Sequence, residues 1–319
     1  MSHDDDPVVR TLELTKRYGD RLAADRVSMT VRRGEVYGFL GPNGAGKTTT
    51  LRMILGLIRP TSGSAQVLGR PAGTAGVTER IGALIEGPGF YPYLSGRDNL
   101  RVMTRYRGLP EAVADEVLER VDLADRGGDK FKSYSLGMKQ RLGVASALMG
   151  DPDVIVLDEP TNGLDPAGMQ DMRRLIVELA RGGQTVLLSS HLLDEVQEIC
   201  DRVGVINNGV LLNESTVKEL RGAASLAVRG EPVDRALAVA MSVAGDDRVR
   251  VDGDRVQLDL AAERAPELVR RLVAAEVSVL EVRSVERTLE EVFFEMTRGD
   301  HAGGQQRYDG QDERVEAVR

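Results

Sequence analysis

Apolar residues fall along this chain in two alternating rhythms. Short, nearly continuous apolar runs read as strands buried on both faces, and between them apolar positions recur at helical spacing. Residues 8–14 and 27–31 read as early strands, the second alternating apolar with polar positions. Residues 36–40 form a short apolar strand that runs straight into a glycine-rich turn, and 47–57 then read as a helix stopped near Pro60. Another apolar strand is predicted at 81–85, followed by a mostly helical stretch from about 95 to 150. Asp151-Pro152 breaks that stretch, and residues 154–157 are wholly apolar. Pro166 opens a helix, residues 185–189 form a strand, and Leu192 begins a further helix. Residues 202–206 and 210–213 flank Asn208-Gly209, a strong hairpin signal. The alternation predicts an α/β protein with a buried central sheet.

Beyond about Gly222 the chain turns to Ala, Val, Arg and Glu, with no second glycine-rich turn. The expected layout is a first domain over 8–221, with a helical subdomain at about 88–152, then a small αβ domain over 222–298. A domain that small is marginal alone and leans on another surface. Residues 299–319 are polar and glycine-bearing and are expected to be disordered. There is no internal repeat, so the first unit occurs once.

Composition narrows the class. The length of 319 residues suits about two domains, and 41% apolar with 29% charged residues gives both a core and a solvated surface. A net charge of −8 counts against nucleic acid as a partner. The single cysteine, Cys200, excludes an internal disulfide and fits a reducing, cytoplasmic compartment. It lies in an apolar run and reads as a buried structural thiol. The acidic start, Met-Ser-His-Asp-Asp-Asp, lacks the regions of a signal peptide. No stretch approaches the roughly 20 apolar residues of a membrane span. Any membrane role is expected to come through a partner.

The glycine-rich turn reads Gly41-Pro42-Asn43-Gly44-Ala45-Gly46-Lys47-Thr48. Following a strand and opening a helix, it is a P-loop, whose backbone N–H groups turn inward around phosphates at a helix N-terminus. With Thr49 these residues make the expected ATP-binding set. Lys47 would reach the β- and γ-phosphates, and Thr48 would bind Mg²⁺. The apolar strand at 154–157 delivers Asp158 to the sheet's carboxyl edge as a second Mg²⁺ ligand, and Glu159 is placed to polarise an attacking water. That assignment expects this strand to lie beside the P-loop strand.

Between these motifs lies Ser133-Tyr134-Ser135-Leu136-Gly137-Met138-Lys139-Gln140-Arg141. Taken alone it is a capped helix start. In this position it resembles the signature peptide of the ATP-binding-cassette (ABC) family, Leu-Ser-Gly-Gly-Gln, matching at Ser135 and Gly137 and departing at Leu136 and Met138. The resemblance covers about residues 8–220. It implies a RecA-like core sheet, an antiparallel β subdomain and a helical subdomain that carries the signature. It also implies that two cassettes sandwich two ATPs, Ser135 and Gly137 of one serving the P-loop of the other. One cassette per chain then implies a homodimer or a paralogous pair, working with a separate membrane permease.

By the same resemblance Asp165, in Asn162-Gly163-Leu164-Asp165, belongs to the loop that crosses between subunits. His191 is the switch histidine that touches the γ-phosphate, and Tyr18 stacks on adenine. Glu86 stands where the family has a glutamine in the loop that contacts metal and permease, so it is both a coupling residue and a candidate Mg²⁺ ligand. Glu86, the signature variant and the closing segment at 289–295 resemble bacitracin-, lantibiotic- and daunorubicin-type exporters. The expected function is an ATP-hydrolysing motor on the inner face of the membrane. Three alternatives fit less well. Chromosome ATPases carry a long coiled coil between the two motifs, ribosome types carry two cassettes, and a P-loop kinase leaves Ser135, Gly137 and His191 without roles.

Overall fold

The computed structural model describes residues 7–222, 225–285, 288–294 and 296. The predicted tail at 299–319, and Glu295 of the closing segment, lie outside the described residues. Internal contacts divide the chain into two units between Thr216 and Val217.

The first unit holds two sheets. The five-stranded antiparallel sheet joins β1 (Pro7–Tyr18), β2 (Arg21–Val27), β3 (Thr30–Arg32), β5 (Ser62–Val67) and β6 (Arg70–Pro71) in the order β2-β1-β5-β6, with β3 also on β1. The six-stranded sheet joins β4 (Val36–Leu40), β7 (Ile81–Leu84), β8 (Val154–Asp158), β9 (Thr185–Ser190), β10 (Arg202–Asn207) and β11 (Val210–Thr216). Its order is β11-β10-β4-β9-β8-β7, parallel throughout except for the β10–β11 hairpin. Every residue of β4, β8 and β9 is buried, which is why these strands read as unbroken apolar runs. Asn208 and Gly209 both take positive φ, 48° and 82°, the two-residue turn that their sequence announced.

Around this sheet lie α1 (Lys47–Ile54), α2 (Gly96–Arg107), α3 (Ala112–Arg120), α4 (Leu136–Leu148), α5 (Pro166–Arg181) and α6 (Leu193–Ile199), with α7 (Val217–Arg221) opening the second unit. Ser135 caps α4 by accepting from the Met138 N–H at 3.2 Å, and Asp165 caps α5 by accepting from Gly168 N–H at 2.9 Å. Cys200 is buried as expected. A Cβ on Gly38 would stand 2.8 Å from its sulfur, and burial pushes the thiol well above its ordinary pKa, so it is an inert packing group.

Four local readings are corrected. The strand expected at 27–31 is broken: β2 ends at Val27 and β3 begins at Thr30. The Thr11 hydroxyl bridges the break, donating to Val27 O and accepting from Met29 N–H, both at 2.9 Å. The strand β5 was hidden by its polar composition. It approaches β1 so closely at Gly63 that a Cβ there would lie 2.2 Å from Glu13 O. Helix α1 stops at Ile54, short of residue 57, because Gly56 turns at φ 71° against Gly73. Finally, β8 does not lie beside β4, since β9 is inserted between them.

The second unit runs β12 (Ser225–Glu231), α8 (Val233–Ala244), β13 (Val249–Asp252), β14 (Arg255–Leu258), α9 (Ala265–Ala274) and β15 (Ser278–Val285). Its four-stranded antiparallel sheet has the order β13-β14-β12-β15, the ferredoxin-like βαββαβ arrangement. Leu226, Val228, Leu258, Leu268 and Leu272 centre a core of its own.

Helix α4 meets β7 at backbone contact, because a Cβ on Gly82 would fall 2.0 Å from Ala147 O. Gly82→Ala should therefore push α4 off the sheet at about 2 kcal/mol, as overpacking does. In thermal unfolding we expect a fall of about 4–8 °C. An unchanged melting temperature would contradict that close approach.

Candidate nucleotide site

The carboxyl edge of the parallel sheet gathers the predicted chemistry. The P-loop leaves β4 with Gly44 and Gly46 at φ 81° and 106°. A Cβ on Gly41 would lie 2.3 Å from Ile206 O, and one on Gly46 would lie 2.2 Å from Ala23 O. The loop is pinned by Gly41 N–H donating to Ser190 O at 3.2 Å and Ala45 N–H to Pro42 O at 3.1 Å. Lys47, almost fully buried, donates from Nζ to Gly41 O at 2.7 Å and faces Glu159 Oε1 at 3.0 Å. A cavity of about 470 Å³ opens here, lined by Tyr18, Arg21, Asn43, Lys47, Thr48 and Glu159 among others, Thr49 included. Tyr18 stands half exposed at its edge.

Although β9 separates their strands, Thr48 and Asp158 meet. The Thr48 hydroxyl donates to Asp158 Oδ2 at 2.8 Å, because α1 begins above β9 and β8. The intervening strand supplies Ser189, which donates to Asp158 Oδ1 and accepts the Glu159 N–H at 3.0 Å. Glu159 takes φ 48°, a conformation costing a non-glycine residue about 1–3 kcal/mol. Its N–H is held by both Ser189 O and Ser189 Oγ, which keeps it there. The carboxylate's other oxygen, Oε2, meets His191 Nδ1 at 2.9 Å.

The remaining predicted residues lie elsewhere. Ser135, Gly137 and Asp165 are not in the cavity lining, and two of them are the helix caps described above. Glu86 also takes positive φ, at 59°, and its carboxylate pairs with Arg52 of α1 at 2.6 Å rather than with Thr48 or Asp158. Ser189, Arg21 and Arg52 went unassigned in the sequence. Of the three, only Ser189 carried a signal, a polar residue ending an otherwise apolar buried strand.

The donor set suits a nucleotide phosphate with its metal. The loop's backbone N–H groups and the buried lysine suit phosphate oxygens, and a hydroxyl beside a carboxylate suits an ion that keeps water and phosphate oxygens as further ligands.

Comparison with known proteins agrees with this geometry. The family profile described as ABC transporter matches residues 24–162. The bacitracin transport ATP-binding protein BcrA of Bacillus licheniformis is 39% identical over 305 residues, covering 93% of this chain and 99% of that protein. The lantibiotic transport ATP-binding protein SrtF of Streptococcus pyogenes is 40% identical over 219 residues, 69% of this chain and 94% of that protein. Among solved structures, cbiO1 of Clostridium perfringens, part of the ABC transporter complex cbiONQ, aligns with a TM-score of 0.62 at 29% identity, covering 68% of this chain and 91% of that one. This chain belongs to the ABC transporter family as an ATP-binding, ATP-hydrolysing subunit.

Proposed function

We propose that this chain pairs with a second copy of itself and drives a separate membrane permease that exports an antibiotic, peptide or other drug-like compound. The observation that carries the reading is the Glu159 carboxylate, set between Lys47 and His191 beside the Thr48–Asp158 pair. The likeness to proteins named for bacitracin and lantibiotic transport supports the cargo class.

In this reading the backbone of residues 41–49 cradles the phosphates of ATP, and Tyr18 stacks on adenine. Lys47 leaves Glu159 for the β- and γ-phosphates, which frees a carboxylate oxygen to take a proton from the attacking water. Thr48 and Asp158 would hold Mg²⁺, whose charge offsets that of the phosphate oxygens. His191 moves from Glu159 to the γ-phosphate. The exposed helix start at Ser135 and Gly137 serves the partner copy's phosphate, and the turn ending at Asp165 crosses between copies. Among the described residues no helix is long and apolar enough to cross a membrane, which is why a permease is part of the proposal.

A groove of about 610 Å³ beside the Glu86 loop supports the permease. It is lined by Phe90, Tyr91, Val102, Met103 and Tyr106, the last 92% exposed. An apolar face rimmed by polar groups at this place suits a short helix of the permease. Glu86, on the adjoining loop, would pass permease movement to the metal site when it exchanges Arg52 for the ion.

Glu159→Gln should still bind ATP, hydrolyse it at least about 100-fold more slowly, and accumulate as an ATP-dependent dimer. Phosphate release and size-exclusion chromatography read this out; turnover near the parent's removes Glu159 as the base. Glu86→Gln should keep most turnover in the isolated subunit, because an amide of equal size still accepts from Arg52. Glu86→Ala should uncouple transport in the assembled complex, and transport at the parent's rate by both variants would remove Glu86 from coupling. Tyr106→Glu should spare turnover of the isolated subunit but lower ATP-driven transport about tenfold or more. Parental transport by that variant would reject the groove as the docking face.

A further inference from the structure

Two cations line the nucleotide cavity, Lys47 and Arg21, and they are placed very differently. Lys47 is buried and already faces the Glu159 carboxylate at 3.0 Å. Arg21 opens β2, is exposed, and has no carboxylate partner among the described residues. Its guanidinium reaches across to the phosphate loop, where Nη2 donates to Gly44 O at 3.5 Å, the outer limit of a hydrogen bond. A contact that long adds little stability, and it leaves the charge without a counterpart beside the loop.

The hairpin between β1 and β2 explains the placement. Tyr18 ends β1, Gly19 and Asp20 reverse the chain with Gly19 at φ 56°, and Arg21 pairs directly opposite Tyr18. Residues paired directly across antiparallel strands project to one face, and both side chains line the cavity. A Cβ on Gly44 would meet only one atom within 4 Å, Arg21 Nη2 at 3.8 Å. The arginine thus spans from the strand of Tyr18 to the loop. With adenine on Tyr18 and phosphates in the loop, the nucleotide must lay its ribose and first phosphates along the same span. Lys47, at the start of α1, is left to the β- and γ-phosphates.

We propose that Arg21 sets the affinity for nucleotide, donating a charge-assisted bond to the α- and β-phosphates, which ATP and ADP share. The planar guanidinium presents paired donors that match two phosphate oxygens. The same bond exists before and after hydrolysis, so it holds substrate, transition state and product alike. Such uniform binding tightens the complex without raising kcat. This rests on the places given above to adenine at Tyr18 and to the phosphates at residues 41–49.

The test uses the full chain as parent, Arg21→Gln and Arg21→Lys. Calorimetric titrations with ATP and with ADP, magnesium withheld to stop hydrolysis, give the two affinities. Turnover at saturating Mg-ATP gives kcat, and thermal unfolding without nucleotide reads the fold. Glutamine keeps hydrogen-bonding groups without charge; lysine keeps the charge without the paired donors. Arg21→Gln should raise Kd for ATP and for ADP by the same factor, about tenfold. Its kcat should stay within about twofold of the parent's and its melting temperature should not move. Arg21→Lys should stay within about threefold of parental affinity. Parental affinity in Arg21→Gln, a loss confined to ATP, or equal losses in both variants would overturn the proposal. So would a fall in kcat or in melting temperature, which would make Arg21 a brace for the loop. Lys47→Ala, run alongside, checks the loop itself and should lose ATP turnover. Parental turnover there would overturn the proposal through the place given to the phosphates, rather than through Arg21.

Discussion

Glu159 stands at φ 48° on the carboxyl end of β8, with Lys47 at 3.0 Å on one oxygen and His191 at 2.9 Å on the other. No strand geometry leads a side chain there unaided. The conformation is imposed by β9, whose Ser189 takes the Glu159 N–H with both its carbonyl and its hydroxyl. Because β4, β9 and β8 are parallel, all three end on one edge, and the residues just beyond them converge without any long loop. The site is built from strand ends, and its precision is that of the sheet.

That makes β9 more than a spacer. It is buried along its whole length, and its last residues are polar, as is His191 after it. Ser189 serves Asp158 and Glu159, Ser190 serves Glu195, and His191 serves Glu159. Burial removes competing water from the Ser189–Asp158 and Ser190–Glu195 bonds, which strengthens each and makes each costly to leave unmade. The strand's apolar body fixes where its polar end must be.

The P-loop was legible because phosphate binding demands residues that few other turns use: glycines at positive φ, as at Gly44 and Gly46, and glycines where a Cβ would strike backbone, as at Gly41 and Gly46. Strands β4 and β8 were legible because two buried faces leave no polar positions to blur them. Strand β5 was not, since a two-residue alternation cannot be seen through Ser62, Gly63 and Ser64. Strand order was not legible either. The expectation that β8 adjoins β4 came from the need for Thr48 and Asp158 to meet, and a helix start spanning β9 meets that need equally well. Ser189 stayed hidden for the same reason, because its role exists only once β9 is known to stand between the two.

The pairing of Glu86 with Arg52 shows how a departure from the family's glutamine acquires a physical meaning. Helix α1 has eight residues, so it is about 12 Å long, with Lys47 and Thr48 at its start and Arg52 in its last turn. A neutral amide would accept from Arg52 without charge attraction; the glutamate adds an ion pair that ties the β7 loop to the helix of the phosphate loop. At 62% side-chain exposure for Glu86, such a pair is worth only about 0–1 kcal/mol. A tie that weak does not lock the loop. It biases the glutamate toward α1, so the loop after β7 is joined to the helix of the phosphate loop through one exposed ion pair.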